Sequence, residues 1–417
     1  MNKKTKLILQ LFVLGMCWAV IYSLAFIQYL LYDPLKEALG CSNAQLGLLM
    51  TIFGLGNIFG APIGGWLADR FDYKKLFSLS LLFNGILSFI FAINLNYSFA
   101  IIIWIGLALA ALVMNYPSHI KIVRMLADDE NQGKIFGFNE AFVGVGSIII
   151  NAVFLYIFGK FVGATVGMRG VVIAIGVVSI ICSVVSWFIL KDVGTRSDES
   201  DEVEEKLSSK DFFIVLKSPE TWMLGIGIFA VYSFAVTMSY FTPYMTAVLG
   251  GTVALSGVLS IIRIHGLRLV GAPFGGWLSD KIKSVSKVLI IVYVVGIMTL
   301  VLFMKLPYNT SITIFVFLTF VVGFVVYMGK GSYYAVSSEL NIPRKYSATT
   351  VGIAAALGFS PDVFLFALAG HWLDTYGNKG YTYLFTFQLV ILVIGILGSM
   401  MVLRYKKKKD INTVNAN

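Results

Sequence analysis

An all-α membrane protein of twelve transmembrane helices, arranged as two pseudo-symmetric six-helix bundles, is the fold this sequence predicts. Three observations predict it. The residues are 58% hydrophobic and only 13% charged, against about 45 to 50% and about 25% in a soluble chain. Twelve apolar stretches, each long enough to cross a bilayer, fall six and six about one long polar stretch. The chain also repeats itself, because Gly60-Ala61-Pro62-Ile63-Gly64-Gly65-Trp66-Leu67-Ala68-Asp69-Arg70 returns 211 residues later. The copy, Gly271-Ala272-Pro273-Phe274-Gly275-Gly276-Trp277-Leu278-Ser279-Asp280-Lys281, matches at 8 of 11 positions. Duplication at half the chain length implies two related halves.

The first apolar run, near 7 to 31, follows Lys3, Lys4 and Lys6 and resembles the start of a signal peptide. It is too long and lacks a small-residue cleavage site, so it reads as an uncleaved first span. Runs near 44 to 68, 76 to 95, 98 to 124, 135 to 159 and 166 to 190 complete an N-terminal bundle over 1–190. Residues 191–219 form a polar linker with an acidic centre from Ser197 to Glu205 and a short amphipathic helix around Lys210 to Leu216. High charge without apolar periodicity suits a solvated connection. Runs near 220 to 247, 254 to 279, 286 to 306, 311 to 336, 347 to 373 and 381 to 403 make the C-terminal bundle, 220–417, with a short tail after Lys409.

Charge gives the orientation. With a cytoplasmic N-terminus, 24 of the 32 Lys and Arg residues fall on the cytoplasmic side. Only Lys36, Lys160, Arg169, Lys305 and Lys379 fall opposite, so the positive-inside rule places both termini in the cytoplasm of an inner-membrane protein. The net charge of +10 is thus topological, and no nucleic-acid partner is expected. Cys17, Cys41 and Cys182 have no metal spacing, and no Gly-rich nucleotide loop is present, so no metal, cofactor or catalytic residue is expected and the chain does not read as an enzyme.

Gly65, Leu67, Ala68, Asp69, Arg70 and Lys74 fit the signature Gly-x-Leu-Ala-Asp-Arg-x-Gly-Arg-Lys of the turn between helices two and three in the major facilitator superfamily. Asp72 and Tyr73 depart from it, and Lys75 can supply the missing charge. With the six-plus-six split and the central linker, the whole chain resembles a member of that superfamily. Tyr32-Asp33-Pro34-Leu35 and Gln132-Gly133-Lys134-Ile135-Phe136-Gly137-Phe138-Asn139-Glu140-Ala141 are similar to its bacterial YihN-like branch. The resemblance implies a monomeric secondary transporter that moves a small-molecule solute across the lipid bilayer by alternating access. It also implies a cytoplasmic gate made by Asp69, Arg70, Lys121, Arg124 and Glu140, with Asp280 and Lys281 in the repeat.

Ionisable residues inside a membrane are costly and point to function by default. Arg263, His265 and Arg268 lie in the eighth run, where an α-helical period puts His265 and Arg268 on one face and Arg263 on another. Lys330 sits between Gly329 and Gly331, amid Tyr327, Tyr333 and Tyr334. Asp362 follows Pro361, which breaks one backbone hydrogen bond near the membrane centre. Three cations and a histidine against this one deep carboxylate suit an anionic substrate, whereas a structural ion pair would need closer balance. The 211-residue offset maps His119 onto Lys330, Asn151 onto Asp362, Asn57 onto Arg268 and Tyr29 onto Tyr240. Candidate substrate contacts are therefore Arg263, Lys330, Arg268, His265, Tyr29 and Tyr240, and candidate proton carriers are Asp362 and His119. Packing for His119 and an interfacial belt for the tyrosines are the plainer alternatives.

The leading expectation is symport of a small polar, anionic metabolite with a proton. A neutral sugar or polyol transporter, with the charges acting as a gate, is the main alternative. Drug efflux and a non-transporting membrane sensor stand behind these.

Overall fold

Polar residues that interrupt the apolar runs set where the helices begin. Ser42 and Gln45 form a reciprocal capping box, with Gln45 N donating to Ser42 Oγ at 3.2 Å and Ser42 N to Gln45 Oε1 at 2.9 Å. Asp72, the departure from the superfamily signature, caps the next helix by accepting from the Lys74 and Lys75 amides at 3.0 and 3.3 Å. Its carboxylate satisfies orphan donors at the helix start, so the turn is kept without a glycine.

The structure, a computed structural model, describes residues 3–126, 132–190, 193, 209–307 and 310–416. Among the described residues there is no strand. The first half contributes α1 (Lys3–Ser23), α2 (Tyr32–Leu39), α3 (Asn43–Arg70), α4 (Tyr73–Ile93), α5 (Tyr97–Ala108), α6 (Tyr116–Leu126), α7 (Gln132–Phe158) and α8 (Ala164–Ile189). A short α9 (Ser209–Lys217) matches the amphipathic helix expected in the linker, with Val215 buried and Phe213 and Ile214 exposed. The acidic centre of the linker lies outside the described residues. The second half contributes α10 (Pro219–Ser239), α11 (Phe241–Ala247), α12 (Val253–Ile261), α13 (Leu267–Ile282), α14 (Val285–Lys305) and α15 (Ile312–Lys330). It ends with α16 (Val336–Glu339), α17 (Arg344–Gly358), α18 (Pro361–Tyr376) and α19 (Lys379–Ala416).

Among the described residues, eleven helices are long and apolar enough to cross a membrane, and twelve when Tyr32–Leu39 and Asn43–Gly60, bent by 101°, count as one. The expected first span is shorter than the sequence suggested. α1 stops at Ser23, whose hydroxyl bonds back to the Ala19 carbonyl at 2.6 Å, a contact that competes with the helical ladder. A 3-10 turn, Ile27–Tyr29, follows, and α2 closes on Gly40 in the left-handed conformation at φ 58°. Side chains such as Phe59, Phe188 and Met298 are 65%, 71% and 67% exposed, which a bilayer and not water would cover.

The chain packs as two compact units. The first comprises Met1–Ser200, Thr242–Gly266 and Phe366–Asp374, and the second Asp201–Phe241, Leu267–Leu365 and Thr375–Asn417. In the first, α4 lies on α8 and α1 on α7. In the second, α10 packs on α17 and α19, α14 on α19, and α13 on α15.

The duplicated stretch is a packing device. In the first unit a Cβ on Gly60 would stand 3.1 Å from Val113, and one on Gly64 2.4 Å from the Val113 carbonyl oxygen. In the second, a Cβ on Gly271 would stand 2.8 Å from the Phe324 oxygen, and one on Gly275 2.3 Å from the Met328 oxygen. Val113 maps onto Phe324 under the same 211-residue offset. Each half thus uses the glycines to bring two helix backbones together, and a side chain would push them apart.

Candidate functional site

In the first unit, Arg263 stands on a π-helical turn, Ile262–Gly266, between α12 and the start of α13. Such turns insert a residue into the helical ladder and recur at functional sites. The wide turn breaks the α-helical spacing rule, so face assignments across 263, 265 and 268 do not carry over from the sequence. Arg263 has no exposed surface, and its Nη2 donates to Thr242 Oγ1 at 2.9 Å. Thr242 Oγ1 in turn donates to the Tyr29 carbonyl oxygen at 3.1 Å, which also accepts from Ser260 Oγ at 2.5 Å. That carbonyl is available because Tyr29 lies in the 3-10 turn after α1. His265 Nε2 is 3.4 Å from Asn151 Nδ2, and it is half-buried, as is Tyr29.

His119 is fully buried in the same unit, 4.7 Å from the ring of Trp18 and 5.9 Å from that of Phe77. Neither ring nitrogen has a hydrogen-bond partner among the described residues.

In the second unit the backbone breaks at Phe359 and Ser360, and Pro361 opens α18, a position where its missing N–H costs nothing. Asp362 therefore sits in the first turn of α18, only 1% exposed. Its Oδ2 accepts from the Tyr232 hydroxyl at 2.7 Å, while Oδ1 has no hydrogen-bond partner among the described residues. Lys330 ends α15, inside the run expected to continue to 336, and a 3-10 turn, Tyr333–Ala335, follows. Its Nζ lies 5.2 Å from the centre of the Tyr232 ring and 5.8 Å from that of Tyr327. Tyr232 thus touches both charged groups, a role that its sequence position did not single out. Arg268 is half-buried in α13, and Tyr240, at the end of α10, is only 2% exposed. Among the described residues no group of His, Cys, Asp and Glu could hold a metal ion.

Of the expected gate residues, the Asp69 side chain lies outside the described residues. Arg70, Arg124 and Glu140 are exposed, and Lys121 lies 5.2 Å from the Tyr73 ring centre. In the second unit Lys281 lies 5.0 Å from the Trp277 ring centre. Asp280 lines a cleft of about 320 Å³ together with Ser279, Lys283, Glu339 and Lys406.

Two acidic residues that the sequence reading passed over hold helix ends. Glu339, 6% exposed, accepts from the Val285 and Ser286 amides at 2.8 and 3.1 Å and from the Ser286 hydroxyl at 2.5 Å, capping α14. Asp362 is therefore not the only buried carboxylate. In the first unit, Asp374 accepts from the Asn43 amide at 2.9 Å, from Asn43 Nδ2 at 2.7 Å and from the Ala44 amide at 2.7 Å, at the start of α3. No local pattern marks a carboxylate that caps a helix hundreds of residues away.

Up to twelve spans among the described residues, two sequence-related halves and charged side chains buried within an apolar helical fold define a polytopic membrane protein. The family model of the Major Facilitator Superfamily matches residues 7–359, and the chain belongs to that family. It is 29% identical over 360 residues to the Inner membrane protein YqcE of Escherichia coli strain K12, covering 85% of each chain. It is 26% identical over 414 residues to the Inner membrane protein YihN of the same strain, covering 97% of each. These relatives and the apolar helices make it a multi-pass inner-membrane protein.

Among solved structures, a bacterial homolog of the human lysosomal transporter Spinster, inward-facing and unoccupied, superposes with a TM-score of 0.75 at 17% identity, covering 98% of both chains. The nucleoside transporter NupG, solved as a point mutant, gives 0.72 at 14% identity, covering 97% of this chain and 100% of that one. A D-xylose-proton symporter gives 0.66 at 16% identity, covering 97% and 98%.

Proposed function

We propose that this protein moves a small anionic polar metabolite by alternating access of its two sequence halves, 1–190 and 220–417, in symport with a proton. The observation that carries the reading is the trio of buried Asp362 with half-buried Tyr232 and Lys330. A carboxylate removed from water is costly to keep charged unless neighbours hold it. Here one oxygen is held by the Tyr232 hydroxyl, the second has no hydrogen bond among the described residues, and the Lys330 ammonium lies against the same tyrosine ring. Protonating Asp362 removes the negative charge that faces Lys330 and leaves that cation to attract an anionic solute. Losing the proton restores the internal partner and releases the solute. Proton and anion then travel together with little net charge to carry through the membrane.

Arg263 supplies the second cation of the reading, with Arg268, His265, Tyr29 and Tyr240 as further solute contacts. Its guanidinium is held in place through Thr242, which suits planar recognition of an acid group. His119 is packed between rings and fits a supporting role better than that of a second proton carrier. Asp69, Arg70, Lys121, Arg124, Glu140, Asp280 and Lys281 form the proposed gate on the cytoplasmic side, where both termini lie.

Uptake of radiolabelled small acids into proteoliposomes with an imposed pH gradient tests the proposal. Acids should accumulate only when the gradient is inward, and acids, not polyols, should compete. A neutral hydroxylated solute is the second reading, favoured by the fold likeness to a nucleoside transporter and a D-xylose-proton symporter. Competition by polyols without competition by acids would select it.

A further inference from the structure

Between Gln10 and Leu31 no residue is exposed, so this stretch of the first unit runs inside the fold. Most of it is sealed, and Leu14, Cys17, Val20, Ile21 and Leu24 have no accessible surface. Trp18, Tyr22, Phe26 and Tyr29 are half-buried instead. They recur every three or four residues from α1 into the 3-10 turn that follows it, and their ring centres step 4.9, 6.1 and 5.2 Å. Tyr116 of α6 extends the row at one end, 5.8 Å from Trp18, and Phe366 stacks on Tyr29 at the other, 6.1 Å away and 27° from parallel.

A core stripe of aromatic residues would be fully buried, and a lipid-facing one would be open and without neighbours opposite. This row is neither. Phe53, only 1% exposed, supports Tyr22 and Phe26 edge-on at 6.2 and 5.3 Å. The rings therefore have rigid support and still keep accessible surface. Aromatic faces are electron-rich, and the C–H bonds of a saturated ring present the complementary positive edge. Tyrosine hydroxyls interspersed along the row supply polar partners, the usual composition of a small-molecule site.

The row also ends at a charge. Tyr29 is joined to Arg263 through Thr242, by bonds of 3.1 and 2.9 Å within this one unit. We infer that the solute is a cyclic, hydroxylated acid of sugar size, its ring lying on the Trp18–Tyr22–Phe26–Tyr29 platform and its acid group directed to the Arg263 end. This rests on the anionic reading above and adds the ring.

The purified full-length protein in detergent, assayed by ligand-induced thermal stabilisation, tests the inference with four probes. D-glucuronate and D-gluconate share charge and carbon count but differ in ring closure, and D-glucose and D-glucitol form the matching neutral pair. Apparent affinity for D-glucuronate should exceed that for D-gluconate by about tenfold, the size of one good ring contact. Trp18→Leu should bring that ratio close to one, whereas Trp18→Phe, which keeps a ring and guards against a folding artefact, should retain most of it. A ring preference seen only in the neutral pair would leave the platform standing and remove the anionic reading. Equal or weaker stabilisation by the ring compounds in both pairs, including none at all, would overturn the inference.

Discussion

The Tyr232 hydroxyl donates to Asp362 Oδ2 at 2.7 Å, and the same tyrosine ring lies 5.2 Å from the Lys330 ammonium. One side chain thus bridges the acid and the base of the proposed coupling site, and its removal separates coupling from solute binding. Tyr232→Phe should lower gradient-driven uptake about tenfold, since a hydrogen bond to a charged acceptor is worth about 1.5–3 kcal/mol. Asp362→Asn should abolish gradient-driven uptake while solute counterflow in proteoliposomes persists. Undiminished accumulation by Asp362→Asn would remove the carboxylate from the coupling step.

Arg263 and Lys330 should set affinity for the anion. Arg263→Ala and Lys330→Ala should each raise the half-saturating solute concentration about tenfold or more, and Arg263→Lys should rescue only part of the loss. The lysine keeps the charge but not the planar fork that Thr242 orients. Counterflow kinetics check this, and unchanged half-saturation in both alanine variants would exclude anion binding by these residues.

The glycine contacts of the repeat predict a stability effect. At Gly64 and Gly275 a Cβ would stand 2.4 and 2.3 Å from carbonyl oxygens. Gly64→Val and Gly275→Val should each cost about 1–3 kcal/mol, read as a lower melting temperature of the purified protein. Gly276→Ala, where nothing lies within 4 Å, should leave it unchanged.

Glu339 should matter to folding of the second unit. Glu339→Ala strips the Val285 and Ser286 amides of their acceptor, at about 1–3 kcal/mol for each buried donor left without a partner. Glu339→Gln, which keeps a carbonyl acceptor, should fall between. Thermal unfolding of the two variants gives the order.

The apolar runs and the duplicated glycines made the spans and the family legible, since each depends on neighbours within a few residues or on a repeat. The break before Asp362 was legible for the same reason, through Pro361, whereas the end of α15 at Lys330 fell inside a run expected to continue to 336. The π-helical turn under Arg263 was not, because one inserted residue leaves no mark on an apolar pattern. Tyr232, Glu339 and Asp374 were also missed as partners, although each stood in plain view in the sequence.

Sequence by itself determined a two-fold repeated helical membrane protein with its intramembrane cations in the second half, because apolar length is read from neighbouring residues and the repeat from one shift of the chain. Tertiary structure decided which charges meet which hydroxyls: Arg263 with Thr242, Asp362 with Tyr232, and Tyr29 with Thr242 and Ser260. It also left Trp18, Tyr22, Phe26 and Tyr29 half-buried while sealing Leu14, Cys17, Val20, Ile21 and Leu24. Those pairings join residues up to hundreds of positions apart, and packing alone brings them within the roughly 3 Å over which a hydrogen bond acts.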